Sequence, residues 1–569
     1  MIHNTANMSA ADVDLWEPLT SDVVLEVRTS KMKKMPGLEI ESGIDKALRD
    51  GPIRVSRLGL EDDEHDPTFH GGIDKAVHGY CSSHYPGWQS EYPEAASRFI
   101  PGGFGENLVM ARMNERNVCI GDIFSVGNSV LLQVSLPRQP CFKLNHRFQL
   151  KNFAPRTKDS SRTGWYYRVL QEGDVKAGDA ITLVERKWPK WTIERIQEYL
   201  HRNQDDVAIN EELAEIEAMG EESRGAFRKR VAKARAKAKR EAAGGKEKGE
   251  RWRDFKITEK RKETDRVVSL TLEAVVPDAE PESPGKGGLH VRLLLPNGLQ
   301  RTYSLVSGDW NRFELGVALE PKSRGGSRWL HSITPGEGAQ VKVGRMTTDV
   351  AVANAASNHV FISGGIGITA FLSLMESYTS IHYNVELHYA VRSAETDFPF
   401  RSRLDALQSG PSSDGFTLHL YDSSKGERMN VDSIVRDLKW NSQLYVCGPL
   451  KMMDAAQQAV RKHGLGEDEV HFEAFAAETG GDPFQAEVAN RGGKVISVGQ
   501  EETLLEALKK EFGSAEIDSS CEVGNCGTCK VGVRSGRVEH RGTALTAAEK
   551  DSSMLSCVSR GVGRIVVEI

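Results

Sequence analysis

The sequence predicts a multidomain protein of α/β and β modules, and three observations predict it. A basic seam near residues 220–251 divides the chain. Residues 21–186 and 252–348 read as short strands between Gly/Pro turns, whereas residues 356–475 alternate strands and helices as in an open α/β sheet. The last 49 residues hold Cys521, Cys526, Cys529 and Cys557 as C-x4-C-x2-C, with the fourth Cys after a further 27 residues. A chain of 569 residues has length for about four domains.

Bulk properties exclude several classes. Hydrophobic content is 39% and charged content 27%, sufficient for several soluble cores. The net charge of −6 gives no global reason to expect nucleic-acid binding. No apolar run approaches the roughly 20 residues that span a membrane. The start, MIHNTANMSAADVDLWEP, has neither an apolar signal core nor an Arg-rich transit pattern, so a cytoplasmic protein is expected. Eight cysteines in this length make no disulfide scaffold.

In the first β-rich region three turn-punctuated stretches concentrate the chemistry. They are Phe69-His70-Gly71-Gly72-Ile73-Asp74-Lys75-Ala76-Val77-His78-Gly79-Tyr80, then Gly103-Phe104-Gly105-Glu106-Asn107-Leu108, then Pro137-Arg138-Gln139-Pro140-Cys141. Read blandly, these are turns with surface charges and one buried thiol. Arg-x-x-Cys in a Pro-flanked turn, however, sets a cation near a thiol, and a cation favours thiolate, a soft metal ligand. One Cys builds no zinc site, but it can complete a metal already chelated by a cofactor's sulfurs.

The stretches GGIDKAVHGY, GFGENL and PRQPC resemble the MOSC domain, the molybdenum-cofactor sulfurase C-terminal type, in the bacterial stand-alone branch that reduces N-hydroxylated bases. The resemblance continues through Gly164-Trp165-Tyr166-Tyr167-Arg168 and GDAITLVER into a three-helix appendage. It implies Cys141 as the catalytic protein ligand of molybdenum. Arg138, Asn107, Lys75 and His78 would bind the pterin phosphate or line the metal pocket. Protons would come from His70, His78 or solvent. Cys81 and Cys119 have no motif partner and read as packing.

Beyond this region, Ile193, Ile196 and Leu200 recur at helical spacing with Thr192 as a candidate N-cap, and Ile209, Leu213 and Ile216 repeat the pattern. Two or three short helices fit residues 191–236. From Arg224 to Arg251 there are twelve Lys/Arg, expected as a solvated helix running into a flexible linker; a nucleic-acid patch is the sharper alternative.

After the seam stands Arg301-Thr302-Tyr303-Ser304, then Ser323-Arg324-Gly325-Gly326-Ser327. A flavin needs a wall for its ring and cationic or N–H donors for its phosphate. Next comes an apolar strand leading into Gly364-Gly365-Ile366-Gly367-Ile368-Thr369, a turn that can approach a pyrophosphate ahead of a helix. A second strand ends in Cys447-Gly448-Pro449, and His471-Phe-Glu-Ala-Phe475 closes the segment. Each motif alone is weak, and Cys447 alone reads as a buried strand thiol.

In this order they resemble the phthalate dioxygenase reductase family, including vanillate demethylase reductases. The resemblance implies Tyr303 along an isoalloxazine, Arg301 near the phosphate, and the Arg324–Ser327 loop for FMN rather than FAD. It implies GGIGIT for the pyrophosphate of NADH, Cys447 beside the nicotinamide and Phe475 against the flavin. Ala370 stands where the family often has Pro. Arg392 could meet a 2′-phosphate, so the preference for NADH over NADPH comes from the family.

The four C-terminal cysteines follow plant-type ferredoxin spacing, in which thiolates hold one 2Fe–2S cluster at around −400 mV. Gly524 and Gly527 let CEVGNCGTC wrap tightly. Structural zinc or disulfides are the alternative; a zinc knot would show two C-x2-C pairs, and here there is one.

The expected layout is an N-terminal tail (1–20), a MOSC β-barrel-like domain (21–188), a three-helix domain (189–236) and a basic linker (237–251). A flavin-binding antiparallel β-barrel (252–350), a doubly wound α/β NAD-binding domain (351–480) and a β-grasp ferredoxin (485–569) follow. The fusion implies a self-sufficient reductase: NADH to FMN, to 2Fe–2S, to molybdenum, to an N-hydroxylated small molecule such as a hydroxylaminopurine-like base, an amidoxime or a hydroxylamine. Pyridoxal phosphate is not expected. The alternatives are an oxygenase reductase serving an external Rieske-type acceptor, with the MOSC domain as docking module; a sulfur carrier with persulfide on Cys141; and a redox-sensing interaction protein.

Overall fold

The computed structural model describes residues 19–36, 38, 40–65, 71–242, 252–278, 289–320, 325–336, 338–348, 356–410, 413–475, 479–513, 517–519, 521–525, 527–542 and 544–569. The chain folds as two units, one built essentially by the residues before the linker and the other by those after it.

In the first unit an eight-stranded sheet curls until strand Ala180–Glu185 pairs antiparallel with strand Ser21–Thr29, which closes the expected barrel. Alternation broken by a bulge between Val24 and Glu26 builds this element, so Val24 and Val27 of the first strand are both fully buried, as are Val126, Val134 and Ile181 of strands that share its core. The helices expected after residue 189 join the same core through Trp191, Ile193, Ile196, Leu213 and Phe227. Thr192 caps the first of them, accepting from the Arg195 N–H at 3.2 Å. A π-turn Glu198–Arg202 and helix Val207–Ala214 follow. The long basic helix runs Glu221–Ala242, into the stretch expected as linker, because Ala, Lys and Arg are strong helix formers. A separate aromatic cluster, with Tyr80 stacked on Phe104 at 4.2 Å and Phe99 on Phe148 at 4.4 Å, supports one end of the barrel.

The second unit contains three modules. Six antiparallel strands between Arg253 and Thr348 close a barrel. A five-stranded parallel sheet follows, with strands Phe416–Asp422, Asn384–Val391, Asn358–Gly364, Ser442–Cys447 and Val470–Phe472 side by side in that order. Strand order reverses between Asn358–Gly364 and Ser442–Cys447, the switch point where such sheets bind ligands. The C-terminal module is a mixed five-stranded sheet with helix Leu504–Phe512 packed on it, the β-grasp arrangement. That helix opens on a capping box between Thr503 and Glu506.

Candidate functional sites

Strand register assembles a cleft at the supported end of the first barrel. Leu136 pairs with Tyr166 and Tyr166 with His78, while Asn107 leads the strand parallel to that of His78. Asn107 stitches the row together. Its N–H donates to the His78 carbonyl at 2.8 Å, and its side-chain carbonyl accepts from the His78 N–H at 3.0 Å. Glu106 fixes the preceding turn by accepting from Gly102 N–H, Phe104 N–H and Tyr85 Oη.

Lys75, His78, Asn107, Arg138 and Cys141 all line this cleft. Cys141 is half-buried and opens the helix Phe142–Phe148. Burial and the Arg138 charge hold the His78 imidazole well below its ordinary pKa, so it is neutral. Nε2 of His78 and Nη1 of Arg138 are buried with no protein hydrogen-bond partner. A buried guanidinium nitrogen without a partner, in a cleft that a thiol also lines, suits an anionic, sulfur-chelated metal group. His70 lies outside the described residues.

Two lining residues escaped the sequence reading. Lys46 and Asp63 form a buried ion pair, and Asp63 also accepts from the Asn107 side-chain amide at 2.9 Å and the Ser30 N–H at 2.9 Å. Desolvation lowers the Lys46 pKa against the pull of Asp63. Both precede the first motif and belong to no spacing pattern, so the sequence offered no signal for them. Lys75 is paired with Glu222 at the start of the long basic helix, so the appendage contributes to this wall.

In the second unit, Arg301 and the glycine loop meet: a Cβ on Gly326 would sit 2.8 Å from Arg301 Nε. Arg301, Thr302 and Tyr303 are partly buried on strand Gln300–Gly308, and burial pushes the Tyr303 hydroxyl up to about 12. Ser327 Oγ accepts from the Glu320 N–H at 3.3 Å. Arg324 lies outside the described residues. Ser304, fully inside, donates to Glu473 at 2.9 Å, a partnership no motif announced.

At the switch point the two glycine turns press together. A Cβ on Gly367 would meet the Cys447 carbonyl oxygen at 2.3 Å, and one on Gly364 would meet Pro449 at 2.7 Å; Gly448 faces Met452 at 2.6 Å in the same way. Gly365 adopts a left-handed φ of 55° and its carbonyl accepts from Tyr389 Oη at 2.7 Å. Thr369 Oγ donates to the Ile366 carbonyl at 2.9 Å. A 3₁₀ turn, Gly365–Ala370, intervenes before helix Leu372–Ser380, so the helix begins later than the glycine pattern suggests. The Cys447 thiol is buried, which raises its pKa well above the ordinary value. Phe475 is 41% exposed.

Cys521, Cys529 and Cys557 are buried together, with the Cys529 and Cys557 sulfurs 3.1 Å apart and unbonded. Cys526 lies outside the described residues. The Asn525 N–H points at Cys521 Sγ at 3.3 Å. Gly524 needs both its φ of 85° and its missing Cβ, which would strike Gly542 Cα at 2.8 Å. Three buried thiols, two on one wrapped loop and Cys557 on the turn after strand Ser553–Leu555, fit a thiolate-held iron–sulfur cluster.

Four families match the chain. They are the MOSC domain over residues 66–182, the YiiM-like 3-alpha helix domain over 191–234, the oxidoreductase NAD-binding domain over 361–458, and the 2Fe-2S iron-sulfur cluster binding domain over 488–561. A reductase of Gibberella moniliformis (strain M3125 / FGSC 7600) is 33% identical over 590 residues, covering 100% of both chains. The carnitine monooxygenase reductase subunit of Escherichia coli (strain K12) is 35% identical over 318 residues, 53% of this chain and 94% of its own. The crystal structure of YiiM from Geobacillus stearothermophilus shares 32% identity, covering 37% of this chain and 99% of that one, with a TM-score of 0.32. The expected fusion of a MOSC module to a ferredoxin-type reductase is present. No described helix is long and apolar enough to cross a membrane.

Proposed function

The chain belongs to the family of the Gibberella moniliformis reductase, which it matches end to end, and from that premise we propose that this NAD(P)H-dependent oxidoreductase reduces N-hydroxylated small molecules at a molybdenum cofactor. The observation that carries the reading is the cleft of the first unit. There Arg138 and His78, each with a buried nitrogen that has no hydrogen-bond partner, line the same cleft as Cys141, Lys75 and Asn107.

Cys141 would ligate the metal, and Arg138, Lys75 and Asn107 would hold the pterin and its phosphate. When bound, the cofactor supplies two-electron reduction at an N–OH group, with amine and water as products. His78, held neutral, would offer a ring nitrogen for hydrogen bonding to the bound group without adding charge. In the second unit, the loops at Gly364–Gly367 and Cys447–Pro449 would take NADH. The Arg301–Ser304 strand and the Arg324–Ser327 loop would take FMN. The C-terminal thiolates would hold the one-electron carrier that joins the flavin to the acceptor.

A second reading has one observation in its favour: the carnitine monooxygenase reductase subunit aligns with 53% of the chain. Under it, electrons leave for an external oxygenase and the MOSC module docks the partner or carries sulfur.

Metal analysis together with NADH consumption on 6-hydroxylaminopurine separates the two. The proposal expects near one molybdenum and about two irons per chain, with substrate-dependent turnover. Iron without molybdenum, from a host able to make the cofactor, and brisk reduction of a Rieske protein would favour the second.

A further inference from the structure

The nucleotide module carries another convergence of ligand-type side chains, away from the switch point. Glu386 and His388 lie two residues apart on strand Asn384–Val391 and so share a face. Parallel register sets His419 of strand Phe416–Asp422 beside His388. Nε2 of His388 is 3.1 Å and Nε2 of His419 3.0 Å from the same Glu386 oxygen, Oε1. All three donor atoms lie within 4.8 Å of one another.

On the next strand inward, Val360 pairs with Glu386 and Ile362 with His388, and both pack in the apolar layer under helices Val431–Arg436 and Leu450–His463. That layer gives out toward the outer strand, where packing alone would accept a Val or Thr. Three metal-type ligands stand there instead.

Ligands at about 2.0–2.1 Å around a tetrahedral ion sit roughly 3.3 Å apart. The two observed nitrogen–oxygen edges need to open by only a few tenths of an ångström. Tyr421 Oη lies 2.9 Å from His388 Nδ1 and fixes that ring with Nε2 toward its neighbours, the outer-shell arrangement of histidine ligands. The two rings stack at 4.5 Å and 11°, so their Nε2 atoms share one side. The His388 hydrogen bond holds Glu386 below the usual carboxylate range, with the His388, His419 and Lys439 charges adding to it. Side-chain exposures of 31%, 9% and 43% for Glu386, His388 and His419 leave a fourth position open to water.

We propose that Glu386, His388 and His419 bind one divalent ion of the zinc class, which ties the outermost strand of the sheet to its neighbour. The test uses the full-length protein with its flavin and cluster, dialysed to equilibrium against micromolar zinc and analysed for zinc, iron and flavin. The wild type is expected to retain one more zinc than His419→Ala and one more than Glu386→Gln, at equal iron and flavin. Zinc should also slow amide exchange across residues 416–422 in the wild type alone. Equal zinc in all three proteins would mean adventitious binding or a purely hydrogen-bonded trio, and would overturn the site.

Discussion

The side-chain amide of Asn525 clasps the backbone of Ala474 on both sides, donating to its carbonyl at 2.9 Å and accepting from its N–H at 3.3 Å. Asn525 belongs to the cysteine loop, and Ala474 lies between Glu473, the partner of Ser304, and Phe475. One residue therefore registers the cysteine loop against the segment expected beside the flavin. Asn525→Ala removes both bonds, a loss of about 1–3 kcal/mol of positioning. NADH-dependent ferricyanide reduction, read at the flavin, should stay near wild type. Cytochrome c reduction through the cluster should fall several-fold. A variant that loses neither rate would detach Asn525 from electron delivery.

Cys141→Ala should abolish reduction of 6-hydroxylaminopurine while leaving NADH oxidation by ferricyanide intact. Full N-hydroxy turnover in this variant would remove Cys141 from the site.

Cys557 is 1% exposed and lies 3.1 Å from Cys529 across the sulfurs. Cys557→Ser should lose the iron and the visible charge-transfer bands yet keep flavin reduction by NADH in stopped-flow traces. Retention of a full complement of iron would assign the fourth ligand elsewhere.

Gly367→Ala drives a methyl group against the Cys447 carbonyl, 2.3 Å away where at least 3 Å is needed. Overpacking of this kind costs about 1–3 kcal/mol. The loop pair should part, and the KM for NADH in ferricyanide reduction should rise about tenfold. An unchanged KM would show that the dinucleotide does not depend on this contact.

His78 titrates well below its ordinary 6.5 in the folded protein because burial and Arg138 disfavour its charge. The unfolded chain therefore takes up a proton that the folded chain refuses. Stability should be full above about pH 6.5 and fall as pH drops beneath it, by up to ~1.4 kcal/mol per pH unit. In His78→Gln that slope should flatten, seen in the thermal midpoint between pH 6.5 and 5. Equal slopes in both proteins would place a charged imidazole in the fold.

The motif loops were legible because their chemistry is local. GGIGIT, CGP and CEVGNCGTC each need glycine or a thiol at fixed spacing, and the fold sets those turns where two strands or loops approach. Lys46 and Asp63 were not, because they meet Asn107 only through tertiary pairing and carry no spacing signal. The barrel was expected from the resemblance, but the strand pair that closes it, Ser21–Thr29 with Ala180–Glu185, carried no local signal, since it joins residues more than a hundred positions apart. Asn525 stood inside a motif already recognised, yet its partner lies in another module. The long helix overran its expected end because its charge was read as a linker signal, whereas its Ala, Lys and Arg content favours the helix.

Lys75 of the cleft is neutralised by Glu222 from the first turn of the helix Glu221–Ala242. The pocket is therefore not the property of the β-barrel alone. For recombination, natural or engineered, the heritable cassette is the barrel with its helices through Ala242. A crossover placed near residue 189, at the seam between the two matched families, would separate a cation from the carboxylate that offsets it. A cut point after Ala242 leaves that pair whole.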